Sequence, residues 1–394
     1  MGISVGLVGL GDFGSAFADM FKSHPLVDRV ALCDMEKDRV AKFAQKKSFQ
    51  DKFKPADAYE NFDDIVKADL DALVIITQPW LHAPQAVKAM ENGKHVYSAV
   101  PIMYVPDGDE ILDWVNRVIR TCEKTGLFYM MGETTFYRPQ TMFCRRKMEE
   151  GAFGRFIFSE GEYFHDVEHG LRDVVKHRTS SKSGSQWLKK AKEYLSRGIK
   201  GGPMHYPTHS VGGPMCVMKA HAVKASCIGS PVPEGDHFFD DVAFGNETAF
   251  FKMSNGSAMR ICEYRDIALP GREMFNILGT GGSFYGDEGK WGKNRWMSRN
   301  EVHEYDSAEI RDPLPPEVYE AFRKCSDKSD AYGGHGGSHA YLVHEFVSAV
   351  AEGRQPSVNA WEAARYMAAG VMAHKSALKE GEWLDVPDWG DCPA

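Results

Sequence analysis

The sequence predicts an α/β protein: a doubly wound parallel sheet over about the first 130 residues, then strands that form an antiparallel sheet. Three observations carry that reading. A short apolar run, Ile3 to Val8, leads into Gly9-Leu10-Gly11-Asp12-Phe13-Gly14 and the helical pattern Ala16, Phe17, Met20, Phe21. Apolar strands and amphipathic helices then alternate as far as Met131. From about residue 150 the chain turns to alternating strands joined by Gly-, Asn- and Pro-bearing turns.

The opening unit reads as strand, G-x-G-x-x-G, helix. Its first glycine permits a tight turn, its second lets a pyrophosphate approach the backbone, and its third lets helix pack on strand. The helix N-terminus at Asp12 and Phe13 offers unpaired N–H groups to the phosphates. A second strand, Val30 to Cys33, ends in Asp34, twenty residues after Gly14. A carboxylate there accepts from the ribose hydroxyls and repels a 2′-phosphate, which favours NAD over NADP.

A short helix follows over 61–67, and then a buried parallel strand from Ala72 to Thr77. His82 to Asn92 reads as a helix stopped by Gly93, and His95 to Ser98 as the next strand. Asp109 to Lys124 is a long amphipathic helix ending at Gly126, and Leu127 to Met131 a further strand. Ligands of such sheets sit beyond the strands' carboxyl ends, which puts Gln78-Pro79-Trp80, Ala99-Val100-Pro101 and Glu133 around the nicotinamide.

Gly154 to Phe164 alternates as a strand and ends in Tyr163-Phe164-His165-Asp166. Residues 179–198 are polar and read as a loop plus a short helix around Trp187. Strands are expected at Val223 to Cys227, Asn246 to Met253, Ser257 to Tyr264, Met274 to Gly279 and Gly282 to Tyr285. Residues 286–335 read as irregular surface loops, and helices at Ala340 to Glu352 and Ala360 to Leu378 close the chain.

At 394 residues, 43% hydrophobic and 26% charged, the chain has the composition of a soluble globular protein of about two domains. A net charge of −8 argues against general binding to nucleic acid or anionic membranes. Aromatic residues at 12% suit a ring-walled substrate site and a rich core equally. The eight cysteines form no C-x-x-C and read as reduced thiols of a cytoplasmic protein. The chain runs from Met1 straight into a strand, so no signal peptide is expected, and no apolar run is long enough for a membrane span.

The stretch Gly202 to Gly212 concentrates chemistry: His205, Tyr206, Pro207, Thr208 and His209 lie between glycines. If it opens a helix, Tyr206 and His209 share a face, where a phenol and an imidazole can pass a proton. A capped helix start with two partly buried histidines shows the same residues. His165/His169 and His205/His209 each have the H-x-x-x-H spacing of helical zinc ligands, but the first pair straddles a strand end, and no metal is expected.

The segment Asp71-Ala72-Leu73-Val74-Ile75-Ile76-Thr77-Gln78-Pro79, with His82-Ala83 and Ala89 to Val96, closely resembles the glucose–fructose oxidoreductase/inositol dehydrogenase/rhizopine-catabolism (Gfo/Idh/MocA) family. The resemblance covers nearly the whole chain. It implies an NAD-binding Rossmann domain over residues 1–130 and a C-terminal α/β domain over 131–394 with an open, mostly antiparallel sheet. It also implies a sugar or cyclitol substrate and a homo-oligomer, dimer or tetramer, with no nucleic-acid or membrane partner. Dehydrogenases of the family carry Glu-Lys-Pro where this chain has Ala99-Val100-Pro101, so their lysine is absent. His205 replaces the aspartate four residues before the site histidine.

A glycosidase branch, the NAD-dependent α-N-acetylgalactosaminidases, is similar at more positions: Val-Pro for the lysine, Tyr-Pro-Thr-His at Tyr206 to His209, and Tyr-x-His-Asp at Tyr163 to Asp166. Gly334-His335-Gly336-Gly337 and Val386-Pro387-Asp388 also match. That likeness implies a glycoside hydrolase acting by oxidation at C3, elimination, hydration and re-reduction. His209 would serve the 3-hydroxyl, and Tyr163 and Tyr206 the C2 proton and the leaving group or water, in either order. Gly9, Gly11, Asp12, Phe13, Gly14, Asp34, Thr77, Gln78, Pro79, His82, Ala99, Val100 and Pro101 would hold NAD. Glu133, Tyr137, His165, Trp187 and His205 would line the sugar, or simply pack. A sugar 3-dehydrogenase and a non-catalytic NAD- and sugar-binding regulator are the alternatives.

Overall fold

A computed structural model describes residues 2–287, 292–325 and 331–393. Its first half builds β1 (Ile3–Val8), α1 (Asp12–Ser23), β2 (Val27–Cys33), α2 (Lys37–Ala44), β3 (Phe53–Tyr59), α3 (Phe62–Ile65), β4 (Ala72–Ile75), α4 (His82–Glu91), β5 (His95–Ser98), α5 (Gly108–Thr125) and β6 (Tyr129–Met131). The strands form one parallel sheet in the order β3-β2-β1-β4-β5-β6. β4 is buried throughout, as a strand covered by helices on both faces must be. The strand order reverses between β1 and β4, so the crevice for a ligand opens after Val8 and Ile75. α5 shows how local sequence sets an end: Asp107 accepts from the Asp109 and Glu110 N–H groups, and Gly126 closes the helix at φ 70°.

The second half runs α6 (Pro139–Glu149), β7 (Phe156–Phe164), α7 (Leu171–Thr179), α8 (Lys182–Ser196), α9 (Thr208–Met218), β8 (Ala222–Ser230), β9 (Asn246–Met253), β10 (Ala258–Tyr264), β11 (Arg272–Gly279), β12 (Gly282–Tyr285), β13 (Asn294–Ser298) and β14 (Val302–Tyr305). α10 (Pro316–Cys325), α11 (Ser338–Glu352), α12 (Ala360–Ala377) and β15 (Leu384–Asp385) complete it. Its nine strands order as β14-β13-β12-β11-β7-β10-β9-β8-β15. All neighbours pair antiparallel except β7 and β10, which are parallel. The sheet is therefore mixed. The long connection from β7 through three helices lets β10 return alongside it in the same direction.

Two sequence expectations need correction. Residues 179–198, expected as a loop with a short helix, are mostly the long helix α8, which pairs with α7, a helix not foreseen, as a hairpin. Ser181 caps α8 by accepting from the Gly184 N–H. The stretch expected as irregular loops contains β13, β14 and α10; its residues 288–291 and 326–330 lie outside the described residues. No described helix is long and apolar enough to cross a membrane.

α9, buried along its whole length, lies on the inner face of the second sheet. Small residues bring it that close: a Cβ on Gly161 would lie 1.9 Å from the Ser210 carbonyl oxygen, and one on Gly213 2.6 Å from the Phe275 ring. Pro214, four residues after Ser210, has no N–H for that carbonyl, which is left to face β7.

Candidate active site

The register of the second sheet lines up four side chains beneath the start of α9. Tyr163 on β7 sits between Glu263 on β10 and Glu273 on β11, and Glu247 on β9 follows Glu263. Each carboxylate has a partner. Arg138, at the start of α6, makes an ion pair with Glu273. Arg265 donates to Glu263 at 2.7 Å and lies 4.8 Å over the Tyr163 ring, and Ser210 also donates to Glu263. Burial pushes the Glu263 carboxyl up to about 7 against these neighbours. His374 Nδ1 and the Met204 N–H each donate to Glu247 at 2.7 Å.

His209, in the first turn of α9, faces Glu133 just beyond β6. Its Nδ1 donates to Glu133 Oε1 at 2.9 Å and lies 3.4 Å from Glu273. Glu133 is fully buried and also accepts from the Thr135 N–H and hydroxyl at 2.8 and 2.9 Å. Burial alone would lower the imidazole's pKa; Glu133 and then Glu273 outweigh it and hold it at about 9. Burial likewise opposes ionisation of Glu133, but His209 keeps it down at about 2. The two shifts agree on a buried ion pair. Glu133, His209 and Glu273 bring donor atoms within 4.8 Å of one another, the one group of metal-ligand type among the described residues. A proton on His209 and the guanidinium of Arg138 already balance those carboxylates, so the cluster reads as a proton-holding device.

The tyrosine rings surround this histidine: Tyr163 at 4.8 Å and Tyr206 at 5.5 Å between centroids, and 6.4 Å from each other. Tyr206 precedes α9, which begins at Thr208, so the loop and not a shared helix face brings it to His209. Its hydroxyl donates to the Val100 carbonyl at 3.3 Å. Tyr163 Oη lies 3.1 Å from His165 Nδ1. Burial raises both phenols and lowers His165 to about 4.

A cavity of about 490 Å³ opens in front of the two tyrosines, with Gln78, Trp80, Tyr163, His165, Trp187 and Tyr206 in its lining; His209 is buried against the tyrosine rings and does not line it. Of the residues expected to line a sugar, His165 and Trp187 border it. Glu133 does not: it stands behind His209. Tyr137 packs against Tyr341 at 6.2 Å and 4° between planes. His205 is buried, donates to the Val105 carbonyl at 3.1 Å and packs on His374, away from the tyrosines. These contacts hold both in the core, and motif spacing does not say which side of a turn meets the cavity.

The glycine loop fits a dinucleotide. Gly9 has φ 89°, and a Cβ there would lie 2.3 Å from the Ile76 carbonyl oxygen. A Cβ on Gly14 would lie 1.9 Å from the Gly9 carbonyl oxygen, whereas one on Gly11 meets nothing nearer than Arg39 at 3.4 Å, leaving room for a pyrophosphate. Asp34 is fixed by accepting from the Leu10 and Glu36 N–H groups at 2.7 and 2.8 Å, with Arg39 3.5 Å away. The Asp12 side chain faces His177 at 3.7 Å, and Phe13 packs on His335 and His339, so these two offer backbone rather than side chain. Thr77 binds Gln85 at 2.7 Å, and Gln78 donates to the Arg178 carbonyl at 3.0 Å. Pro79 borders the cavity, while Ala99 and Val100 are buried. His82 is buried too: its Nδ1 donates to the Pro101 carbonyl at 2.8 Å and its Nε2 faces the Thr77 carbonyl, so it braces two cofactor loops without facing the cofactor.

Fold and cradle together define a two-domain protein that binds NAD through an N-terminal Rossmann domain. Residues 3–133 match the Gfo/Idh/MocA model (oxidoreductase family, NAD-binding Rossmann fold), and residues 245–392 match the glycosyl hydrolase 109 C-terminal domain. The chain thus joins an N-terminal domain of the Gfo/Idh/MocA type to a glycosyl hydrolase 109 C-terminal domain. A glycosyl hydrolase family 109 protein of Shewanella sp. (strain W3-18-1) is 22% identical over 98% of this chain and 85% of its own. The α-N-acetylgalactosaminidase of Shewanella oneidensis is 21% identical with the same coverage. Among solved structures, levoglucosan dehydrogenase in complex with NADH superposes with a TM-score of 0.74 at 18% identity, covering 98% of this chain and all of its own. Myo-inositol 2-dehydrogenase of Lactobacillus plantarum does so at 0.68 and 16%, with the same coverage.

Glu263, Glu273, Arg138, Arg265 and Glu247 were not foreseen from the sequence. The available signal was a glutamate at an end of each of three strands, and it acquires meaning only through the cross-strand register.

Proposed function

We propose that this chain is an NAD-dependent glycoside hydrolase that oxidises a sugar at C3, eliminates the aglycone, adds water and re-reduces the product. One observation carries the reading: a histidine held by a buried glutamate, ringed by two tyrosines, beside a loop where Val100 replaces the dehydrogenases' lysine. The glycosyl hydrolase 109 domain and the relatives' names support it. When bound, NAD supplies a reversible hydride acceptor for C3.

His209 takes the 3-hydroxyl proton, and Glu133 stabilises the resulting imidazolium and fixes the ring's tautomer. A ketone at C3 acidifies the C2 proton. Tyr163 takes that proton while passing its own to His165, whose Nδ1 lies 3.1 Å from the phenol oxygen. Arg265 over the ring favours the phenolate that forms on the way. Tyr206, kept protonated by burial, donates to the departing oxygen at C1. This division needs no pair of carboxylates flanking the glycosidic bond.

Aryl glycosides offered without added NAD test the reading. Phenol release with no accumulating NADH is expected. Stoichiometric NADH and a keto sugar would instead identify a sugar 3-dehydrogenase, the reading that the fold's dehydrogenase neighbours favour. A protein that holds NAD and turns over nothing would be a regulator. We also propose a homo-oligomer, because Ile228 and Phe250 stay 62% and 49% exposed on the outer face of the second sheet. The eight free cysteines, six of them buried, support a reducing cytoplasmic location.

A further inference from the structure

The cavity continues well past the tyrosines, and its outer half has a distinct chemistry. A track of rings leads outward from Tyr206 to Tyr104, Trp187 and Trp80, with successive centroids 6.4, 6.5 and 6.3 Å apart. The helical hairpin adds Val175 from α7 and Leu188 from α8, and the loop before β9 adds Phe238. Val175 and Leu188 remain 36% and 47% exposed, an open apolar wall. Of the charged side chains along this wall, Arg178, Lys192 and Asp240 are solvent-exposed, whereas Asp241 is half-buried.

A volume of about 490 Å³ falls within the roughly 300–1,000 Å³ of pockets for drug-sized ligands, more than one sugar ring fills. A second sugar could stack on the rings, but its hydroxyls would find no partners against Val175 and Leu188, which is costly. A flat apolar ring system instead meets offset aromatic faces at stacking distance.

We infer that this outer half is an aglycone site for a flat apolar group, so that the substrates are glycosides of phenols or other aryl alcohols. The substrate class rests on the glycosidase reading, whereas the binding chemistry does not.

The NAD-loaded protein, titrated with 2-naphthol and followed by tryptophan fluorescence and calorimetry, separates the two. Naphthol is expected to bind well below about 1 mM and to weaken at least about tenfold in Leu188→Asp and in Val175→Asp. Both positions are exposed, so the melting temperature and the NAD content of these variants should hold. A disaccharide of the same size should not compete. Absent naphthol binding, or binding indifferent to both variants, overturns the aglycone site even if glycosides are hydrolysed. Naphthol binding without turnover of any aryl glycoside retains the apolar site and sinks the glycosidase reading.

Discussion

Glu133 and His209 meet at 2.9 Å across 76 residues of chain, both buried and both shifted toward their charged forms. The pair explains why a histidine so deeply placed is not simply neutral. As the base for a hydroxyl it must first lose the proton that Glu133 holds on it. The logarithm of kcat/KM should therefore climb with pH up to about 9. Glu133→Gln keeps an oxygen for Thr135 but removes the larger carboxylate effect, so the climb should move to lower pH. A limb unmoved in that variant would contradict the pairing.

The same shifts give a stability window. His209 is raised from 6.5 to about 9, so its contribution is complete below pH 6.5 and lost as pH rises through 9. Glu133 is lowered from 4.5 to about 2, so its contribution is complete above pH 4.5 and lost as pH falls through 2. The melting-temperature difference between the native chain and His209→Gln should be greatest between pH 4.5 and 6.5.

Asp34 and Arg39 stand side by side where the adenosine ribose of NAD is expected. The carboxylate repels a 2′-phosphate, while the guanidinium 3.5 Å away would welcome one. Asp34→Ser should weaken NADH binding, since a hydroxyl cannot replace both backbone contacts, and shift the NADPH-to-NADH affinity ratio by at least about tenfold. Fluorescence titration of each reduced cofactor reads this directly.

The α7–α8 hairpin is tied to the nucleotide domain. The Lys182 side chain donates to the Met35 carbonyl at 2.8 Å and its N–H to Glu36 at 3.1 Å, just past Asp34. These exposed contacts are worth at most about 1 kcal/mol, so Lys182→Ala should barely change stability. Release of NAD should quicken up to about fivefold, measured by trapping the freed cofactor.

Gly161→Ala tests the close seat of α9. Its Cβ would overlap the Ser210 carbonyl oxygen, and over-packing of this kind costs about 1–3 kcal/mol. Urea unfolding should show that loss, together with a fall in kcat as His209 shifts.

Much of this was legible in the chain. The glycine turn, the acid after the second strand and the βα alternation are local patterns, and they produce the first sheet. Tyr163, Tyr206 and His209 stood out because their motifs are local too. Glu273 and Arg138 did not, since their meeting depends on how β11 lies beside β7 and on where α6 starts. The α7–α8 hairpin was hidden for another reason. It is mostly solvated, so lysines and serines dominate, and its narrow apolar stripe of Trp187, Leu188, Ala191, Tyr194 and Leu195 is easily passed over. His205 and Tyr137 misled because proximity in sequence to a site residue does not fix the direction of a side chain.

The most direct measurement is hydrolysis of an aryl glycoside in deuterium oxide, with no cofactor beyond what the protein carries. Transient oxidation predicts one solvent deuterium at C2 of the released sugar and no net NADH. A sugar released with its original hydrogen at C2 contradicts the account.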